Sequence, residues 1–407
     1  MRNLLLGLLV MVALSGCQSR DVPAKGNLKM MVFDNEHLFF SPEEFDGEVD
    51  VNATQTIRIA DGRMLLKKVT LPEYLRDVKA RVNIKLSSGG DRWDKSGSCF
   101  VIPPSSAIDF LKIHNGEASL PEIPESLETL AGVVSGEGYS PVVELMRFMT
   151  PFGVGAYSDK MEMRRPVYVP FWEKQVEWEQ DITDRLSLLE GEIWIGVWID
   201  TWTKEGYKVS VSLDFEESPF ACAAKTATGV KSLVNTVYYI DGQTHADIFS
   251  RKDIEVEAEI PANAKNVRLE YITTGHGGHS GGDEFVKKAN IVKVDGVEVL
   301  NFIPWRDDCA SFRRFNPGTG VWLVKDTAEY IDEKTWTYKT KVIEERLASS
   351  DLSRSNWCPG SDVQPEEVSL NVKPGMHTFT FSIPQAQAID GEKMNHWLIS
   401  AYLVWDK

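Results

Sequence analysis

Ile193-Trp194-Ile195-Gly196-Val197-Trp198-Ile199-Asp200-Thr201-Trp202 alternates aliphatic with aromatic or polar residues along its whole length. A period of two sends successive side chains to opposite faces of an extended strand. Ile193, Ile195, Val197 and Ile199 therefore share one face, and that face belongs in a core. Trp194, Gly196, Trp198, Asp200 and Trp202 share the other. Indoles set around a carboxylate suit stacking on the apolar faces of sugar rings while the acid takes hydroxyls. The same pattern fits a strand buried on both sides, with packed indoles and Asp200 bonded to a neighbouring loop. The strand leaves both readings open, but a strand it is.

The rest of the chain follows the same period. Val82-Ile84-Leu86, Val209-Val211-Leu213-Phe215, Ile254-Val256-Ala258-Ile260, Val267-Leu269-Tyr271, Val368-Leu370-Val372 and Phe379-Phe381-Ile383 sit at alternate positions. Asp295-Gly296 joins two such runs and predicts a two-residue hairpin. Helical spacing is sparse: 125–134, 184–189 and 335–347 are the candidates. Many short strands with few helices predict an all-β fold of sandwiches or jelly rolls. A break near Glu216-Glu217-Ser218-Pro219 divides the chain into two halves, each large enough for its own core.

The formal net charge is −16 over 407 residues. That excludes nucleic acid as a partner, which needs a basic footprint, and an anionic membrane surface as an electrostatic one. Met1-Arg2, the apolar run Leu4–Leu14 and Leu14-Ser15-Gly16-Cys17 read as a signal peptide over 1–16. Its ending looks like a bacterial lipobox, so Cys17 is expected to carry the lipid and 17–27 to form a tether. The expectation is an exported protein, held by lipid on the periplasmic side or at the cell surface. Four cysteines remain, Cys99, Cys222, Cys309 and Cys358, and an oxidising compartment allows three pairings among them.

Two further acids stand in loops. Asp94 lies in Asp91-Arg92-Trp93-Asp94-Lys95, where an indole would raise its pKa and a cation lower it. Glu284 closes a glycine-rich run, 273–284, in which backbone can come close to a ligand. The bland reading of either segment is a surface turn.

In order along the chain, five segments carry a family resemblance: Arg92-Trp93-Asp94-Lys95, Arg147-Phe148-Met149-Thr150-Pro151-Phe152, Asp200-Thr201-Trp202, Gly275-His276 with Glu284, and Arg354-Ser355-Asn356-Trp357-Cys358-Pro359-Gly360. Together they resemble the peptide-N-glycosidase F family, amidases that remove asparagine-linked glycans. The likeness runs from about Leu28 to the C-terminus. It implies two adjacent eight-stranded antiparallel jelly rolls, 28–216 and 217–407, with the active site at their interface. It also implies hydrolysis of the amide between N-acetylglucosamine and asparagine, without metal or cofactor, by a monomer acting on N-glycosylated proteins or glycopeptides. Asp94, Glu284 and Asp200 would be catalytic. Trp93, Lys95, Trp202, His276 and Arg354 would bind substrate, and Cys309 would pair with Cys358. Cys99 and Cys222 are then expected as buried thiols.

The chain also departs from the family. Lys95 stands for an arginine and loses its planar fork. Asp200 stands for a glutamate. Gly282 and Val286 replace the cysteines that bracket the family's Glu, the disulfide before the catalytic Asp is absent, and Ile102–Val143 is an insertion. Two rival readings follow: a glycan-binding lipoprotein without turnover, and a metal-dependent enzyme using His276 and His279 beside Asp283 and Glu284.

Overall fold

Alternation becomes strand pairing wherever one face can be buried. The computed structural model describes residues 22–121, 130–160, 169–220, 225–243, 246–277, 282–389 and 394–407. In the N-terminal half a four-stranded antiparallel sheet runs in the order Leu28–Leu38, Tyr207–Glu217, Val78–Ser88, Val176–Asp181. The facing sheet runs Val143–Met149, Ser96–Val101, Gly191–Ile199, Met64–Leu71, Ile57–Ile59. Asp362–Val363, from the other half of the chain, pairs with its edge.

The C-terminal half repeats the plan. One sheet is Thr228–Asn235, His396–Asp406, Lys265–His276, Glu366–Ser369, and the other is Ile254–Ile260, Gly375–Ser382, Asn290–Val294, Val297–Phe302. The Asp295-Gly296 turn joins the last two strands, with Asp295 at φ 51 and Gly296 at φ 79. The fold is thus all-β, in the double jelly-roll arrangement.

The opening strand serves both cores. Ile193, Ile195, Val197 and Ile199 are buried in the first, between the two N-terminal sheets. Its other face is divided. Trp198 is sealed in a second core that also holds the C-terminal sandwich, its ring 5.5 and 5.6 Å from Tyr238 and Tyr239. Gly196 has to be glycine, since a Cβ there would lie 2.3 Å from the Phe100 ring. Trp194, at the start of the strand, is half-buried under Lys68, and past its end Asp200 is half-buried and Trp202 exposed. Of the two readings left open, the doubly buried strand holds at Trp198, where the other half of the chain covers the face, and the exposed indole holds at Trp202.

Part of the Ile102–Val143 insertion closes the same second core. Asp109 accepts from the backbone N–H groups of Leu111 and Lys112, capping a short helix, Phe110–His114. Phe110 and Leu111 point inward from it.

Two helical expectations change. Residues 184–189 form a 3-10 helix, Thr183–Leu188. Residues 335–347 are instead the returning strand of a hairpin, Val321–Asp332 with Thr337–Ala348. Thr337, Thr340, Val342 and Ile343 are β-branched, which favours the pleat. Residues 125–129 of the third candidate, the signal segment with Cys17, Cys222 and His279 lie outside the described residues. Cys309 and Cys358 form a disulfide, and Cys99 is a free, buried thiol.

Candidate active site

Asp94 and Glu284 arrive from different halves and meet at one arginine. Asp94 lies in the loop before the strand Ser96–Val101, and an internal network fixes that loop. Buried Asp91 accepts from the Trp93 N–H at 3.0 Å and the Thr201 hydroxyl at 2.8 Å. Tyr207 donates to the Trp93 carbonyl at 2.6 Å, and the Lys95 N–H donates to the Thr150 hydroxyl at 2.8 Å. Burial holds the phenol of Tyr207 protonated, and the neighbouring charges of Asp91, Asp94 and Asp200 push its pKa further up.

Glu284 follows a buried anchor. Asp283 pairs with Lys288, accepts from the Trp397 indole at 3.0 Å, and is fully enclosed. Gly277 has φ +95 and sits where a Cβ would come 2.1 Å from the Met394 carbonyl, so the turn into this loop requires glycine. The segment carrying Arg354 is stitched alongside. Ser355 donates to the Asp283 carbonyl at 2.7 Å and the Trp357 indole to the Gly275 carbonyl at 2.8 Å. The Cys309–Cys358 bridge closes just behind.

Arg354 is 2% exposed and lies between the two acids. Its Nε donates to Glu284 Oε1 at 2.7 Å, while Nη2 is 3.7 Å from Asp94 Oδ2. Nη1 donates to the Leu352 carbonyl and Nη2 to the Ser349 carbonyl, each at 2.9 Å. Three of the five guanidinium N–H groups are thus held in hydrogen bonds, and Asp94 is added as an ion pair. Each carboxylate keeps 16% of its side-chain surface open. That opening admits a water or a substrate, yet the enclosure still governs ionisation.

Desolvation pushes Glu284 up to about 7; Arg354 opposes the shift and the charge of Asp94 adds to it. Asp94 is also raised by desolvation, against the pull of Arg354 and then of Lys95. Two like acids share one cation, so the charge of either one favours the proton on the other.

Asp200 is tied to the strand that follows Asp94, its N–H donating to the Ser96 carbonyl at 2.9 Å. It accepts from the Tyr238 hydroxyl at 2.8 Å and the Trp202 indole at 2.9 Å. Arg63 stacks 4.4 Å from the Trp202 ring. Trp93 and Trp202 stand 55% and 54% exposed, large flat surfaces that nothing in the fold needs in water. His276 is nearly sealed. Its Nε2 contacts the Thr274 hydroxyl at 2.8 Å and its ring stacks between Trp357 and His396. Burial holds it well below the usual histidine pKa, with His396, Arg147 and Arg354 adding to the effect.

Asp91, Tyr207, Tyr238, Arg63 and Asp283 take part without having been singled out for roles. Asp91 was adjacent to the quoted motif. Tyr238 and Arg63 reach Asp200 from distant turns, and no local pattern marks them. Asp283, which stands beside the histidines of the metal reading, is spent on Lys288, Trp397 and the Gln387 N–H.

Paired carboxylates on a shared arginine, brought together from the two halves of the chain and with the exposed Trp93 next to one of them, define the class: a double jelly-roll protein with a two-carboxylate site. Residues 29–215 match the family described as Peptide-N-glycosidase F, N terminal, and residues 244–404 match Peptide-N-glycosidase F, C terminal. The chain belongs to the peptide-N-glycosidase F family. Among solved structures, PNGF-II is similar at 33% identity with TM-score 0.77, over 93% of this chain and 65% of that one. This chain therefore spans slightly less than two thirds of PNGF-II. PNGase F, a glycosylasparaginase from Flavobacterium meningosepticum, shares the fold at 15% identity and TM-score 0.57, over 94% of this chain and 96% of that one. Among curated proteins none matches.

Proposed function

We propose that the protein is an amidase that hydrolyses the bond between N-acetylglucosamine and asparagine in N-glycosylated proteins or glycopeptides. The observation that carries the reading is the pairing of Asp94 and Glu284, from two halves of the chain, on buried Arg354. A planar amide with a poor nitrogen leaving group needs an activated nucleophile and a proton donor together. In this reading Asp94 takes a proton from a water that attacks the asparagine side-chain carbonyl carbon. Glu284, protonated near neutrality, gives a proton to the nitrogen as the carbon–nitrogen bond breaks. The products are a glycosylamine and an aspartate. Arg354 holds the two acids in register and balances their charge, which makes it a positioning residue.

The sugar next to the bond would lie on the Trp93 and Trp202 faces, with Asp200 taking its hydroxyls. Tyr238 and Trp202 aim the Asp200 carboxylate through hydrogen bonds to different oxygens. Lys95 favours the charged form of Asp94. The chemistry calls for no cofactor. We also propose export as a lipoprotein acylated at Cys17, for which the support is the Leu14-Ser15-Gly16-Cys17 ending.

Mass spectrometry of a glycopeptide after incubation tests the activity. Conversion of the glycosylated Asn to Asp is expected, with one oxygen incorporated from labelled water. Release of a sugar with Asn left intact would overturn the reading.

A further inference from the structure

The hairpin Val321–Asp332 with Thr337–Ala348 has no role in either core. Its strands pair with each other over their full length and, among the described residues, form a sheet with no third strand. Twelve residues at about 3.4 Å each carry it about 40 Å. A two-stranded ribbon alone in water is marginal, so an arm of this length without a packing partner calls for an occupant.

Its root is part of the candidate active site. The Ser349 N–H donates to the Gly320 carbonyl at 3.0 Å, the Gly320 N–H donates to the Ser349 hydroxyl at 3.1 Å, and the Ser349 carbonyl accepts from Arg354 at 2.9 Å. Two residues before Gly320, the Gly318 carbonyl accepts from Arg92, the neighbour of Trp93, at 2.8 Å. The arm therefore begins at the cation that holds Asp94 and Glu284.

Away from the root, the surface is apolar where nothing covers it. Ile331 lies opposite Tyr338 and Thr327 opposite Val342, which puts Leu323, Ile331, Tyr338 and Val342 on one face. They are 59, 54, 74 and 72% exposed, and Trp336 at the turn is 79% exposed. Charges of both signs stand among them, Lys325, Glu329, Glu344 and Arg346, so the face is no anion-binding surface. Each strand also keeps an outer edge whose backbone N–H and C=O groups have no sheet partner, a template for an added strand.

We propose that this hairpin is a docking arm for extended polypeptide, the chain on either side of the glycosylated asparagine. This rests on the amidase reading: the scissile bond joins sugar to polypeptide, and the Trp202–Asp200 end already offers the sugar side. Continuity through Ser349 and Arg354 places the arm where the peptide leaves the bond. Edge hydrogen bonds accept any sequence, and the apolar face adds affinity without demanding one.

The test is a variant carrying Ile331→Lys, Tyr338→Lys and Val342→Lys, all at positions more than half exposed, with Tm measured to establish folding. Two glycopeptides carry the same glycan, one of about twenty residues with the glycosylated Asn central and one of three residues. The expected result is a KM raised about tenfold for the long glycopeptide, with kcat unchanged and the short one unaffected. Equal effects on both, or none on either, would overturn the proposal. So would sedimentation showing a wild-type dimer that the variant dissolves, since the face would then belong to a second copy. If neither glycopeptide is hydrolysed the amidase reading fails, and anisotropy of the labelled, unglycosylated twenty-residue peptide still decides. Weaker binding by the variant supports the arm, and equal binding removes it.

Discussion

Glu284 is raised to about 7 because enclosure costs its charged form more than Arg354 returns. In the proposed mechanism protonated Glu284 is the donor, so kcat/KM should fall above about pH 7 with a slope of one proton. A profile flat from pH 6 to pH 9 would remove Glu284 from that role. The same shift acts on stability. With its folded pKa above its unfolded one, Glu284 contributes most at low pH, and the contribution is lost as pH rises through about 7. Glu284→Gln should therefore gain Tm relative to wild type on going from pH 5 to pH 8 while losing hydrolysis. A constant Tm difference would sink the assignment. At Asp94 the amide keeps the shape and loses the base, so Asp94→Asn should abolish hydrolysis and leave the melting curve near wild type. At the strand end, Trp202→Ala should lower kcat/KM roughly ten- to hundredfold, as loss of a stacking indole removes about 1–3 kcal/mol. Trp194, eight residues earlier and about 26 Å away along the strand, is partly buried under Lys68. Its alanine variant should lower Tm alone. Kinetics and melting measured on both variants separate a site residue from a packing one.

Along single elements, what the sequence made legible was whatever repeats locally. The 193–199 strand follows directly from its period, and the 295–296 turn from residues that tolerate positive φ. What covers a strand's second face is not local: Trp198 and Trp202 are equivalent by spacing, yet Tyr238 and Tyr239, from the other half of the chain, seal only the first. The returning strand Thr337–Ala348 was misread for a related reason. Its apolar positions face no core, so its charged residues imitate a helix surface, and only the pairing with Val321–Asp332 settles the period. The Cys309–Cys358 link closes a loop of 49 residues that includes this hairpin. Cys358→Ser should cost on the order of 4 kcal/mol in the chain-entropy model. Because Cys358 follows the segment that bonds Asp283 and Gly275, turnover should fall as well. A variant with unchanged Tm would show that the bridge does not constrain this part of the fold.

Across the whole molecule, the site exists only because two sandwiches stay in register, and buried charge helps hold them. Arg147, in the Arg-Phe-Met-Thr-Pro-Phe motif, pairs with Glu144 and donates across the junction to the Leu398 carbonyl and to Thr274. The motif was recognisable, but its partners across the junction were not, since Thr274 and Leu398 arrive from strands more than a hundred residues away. Arg185 makes a second crossing, 2.6 Å from Glu270, whose carboxylate also accepts from Tyr402 at 2.6 Å. Both charges are almost wholly enclosed. Such a pair repays its desolvation only while it is complete; removing one partner strands the other and costs about 3–5 kcal/mol. Glu270→Gln should therefore lower Tm sharply, while kcat measured below the melting range stays near wild type, because neither residue touches the carboxylate pair. Replacing both, Arg185→Met with Glu270→Leu, removes the stranded charge and should recover much of the lost Tm. If the double variant melts as low as the sum of the single ones, the two charges act independently. The register of the halves would then rest on their shared apolar core, where Trp198 meets Tyr239.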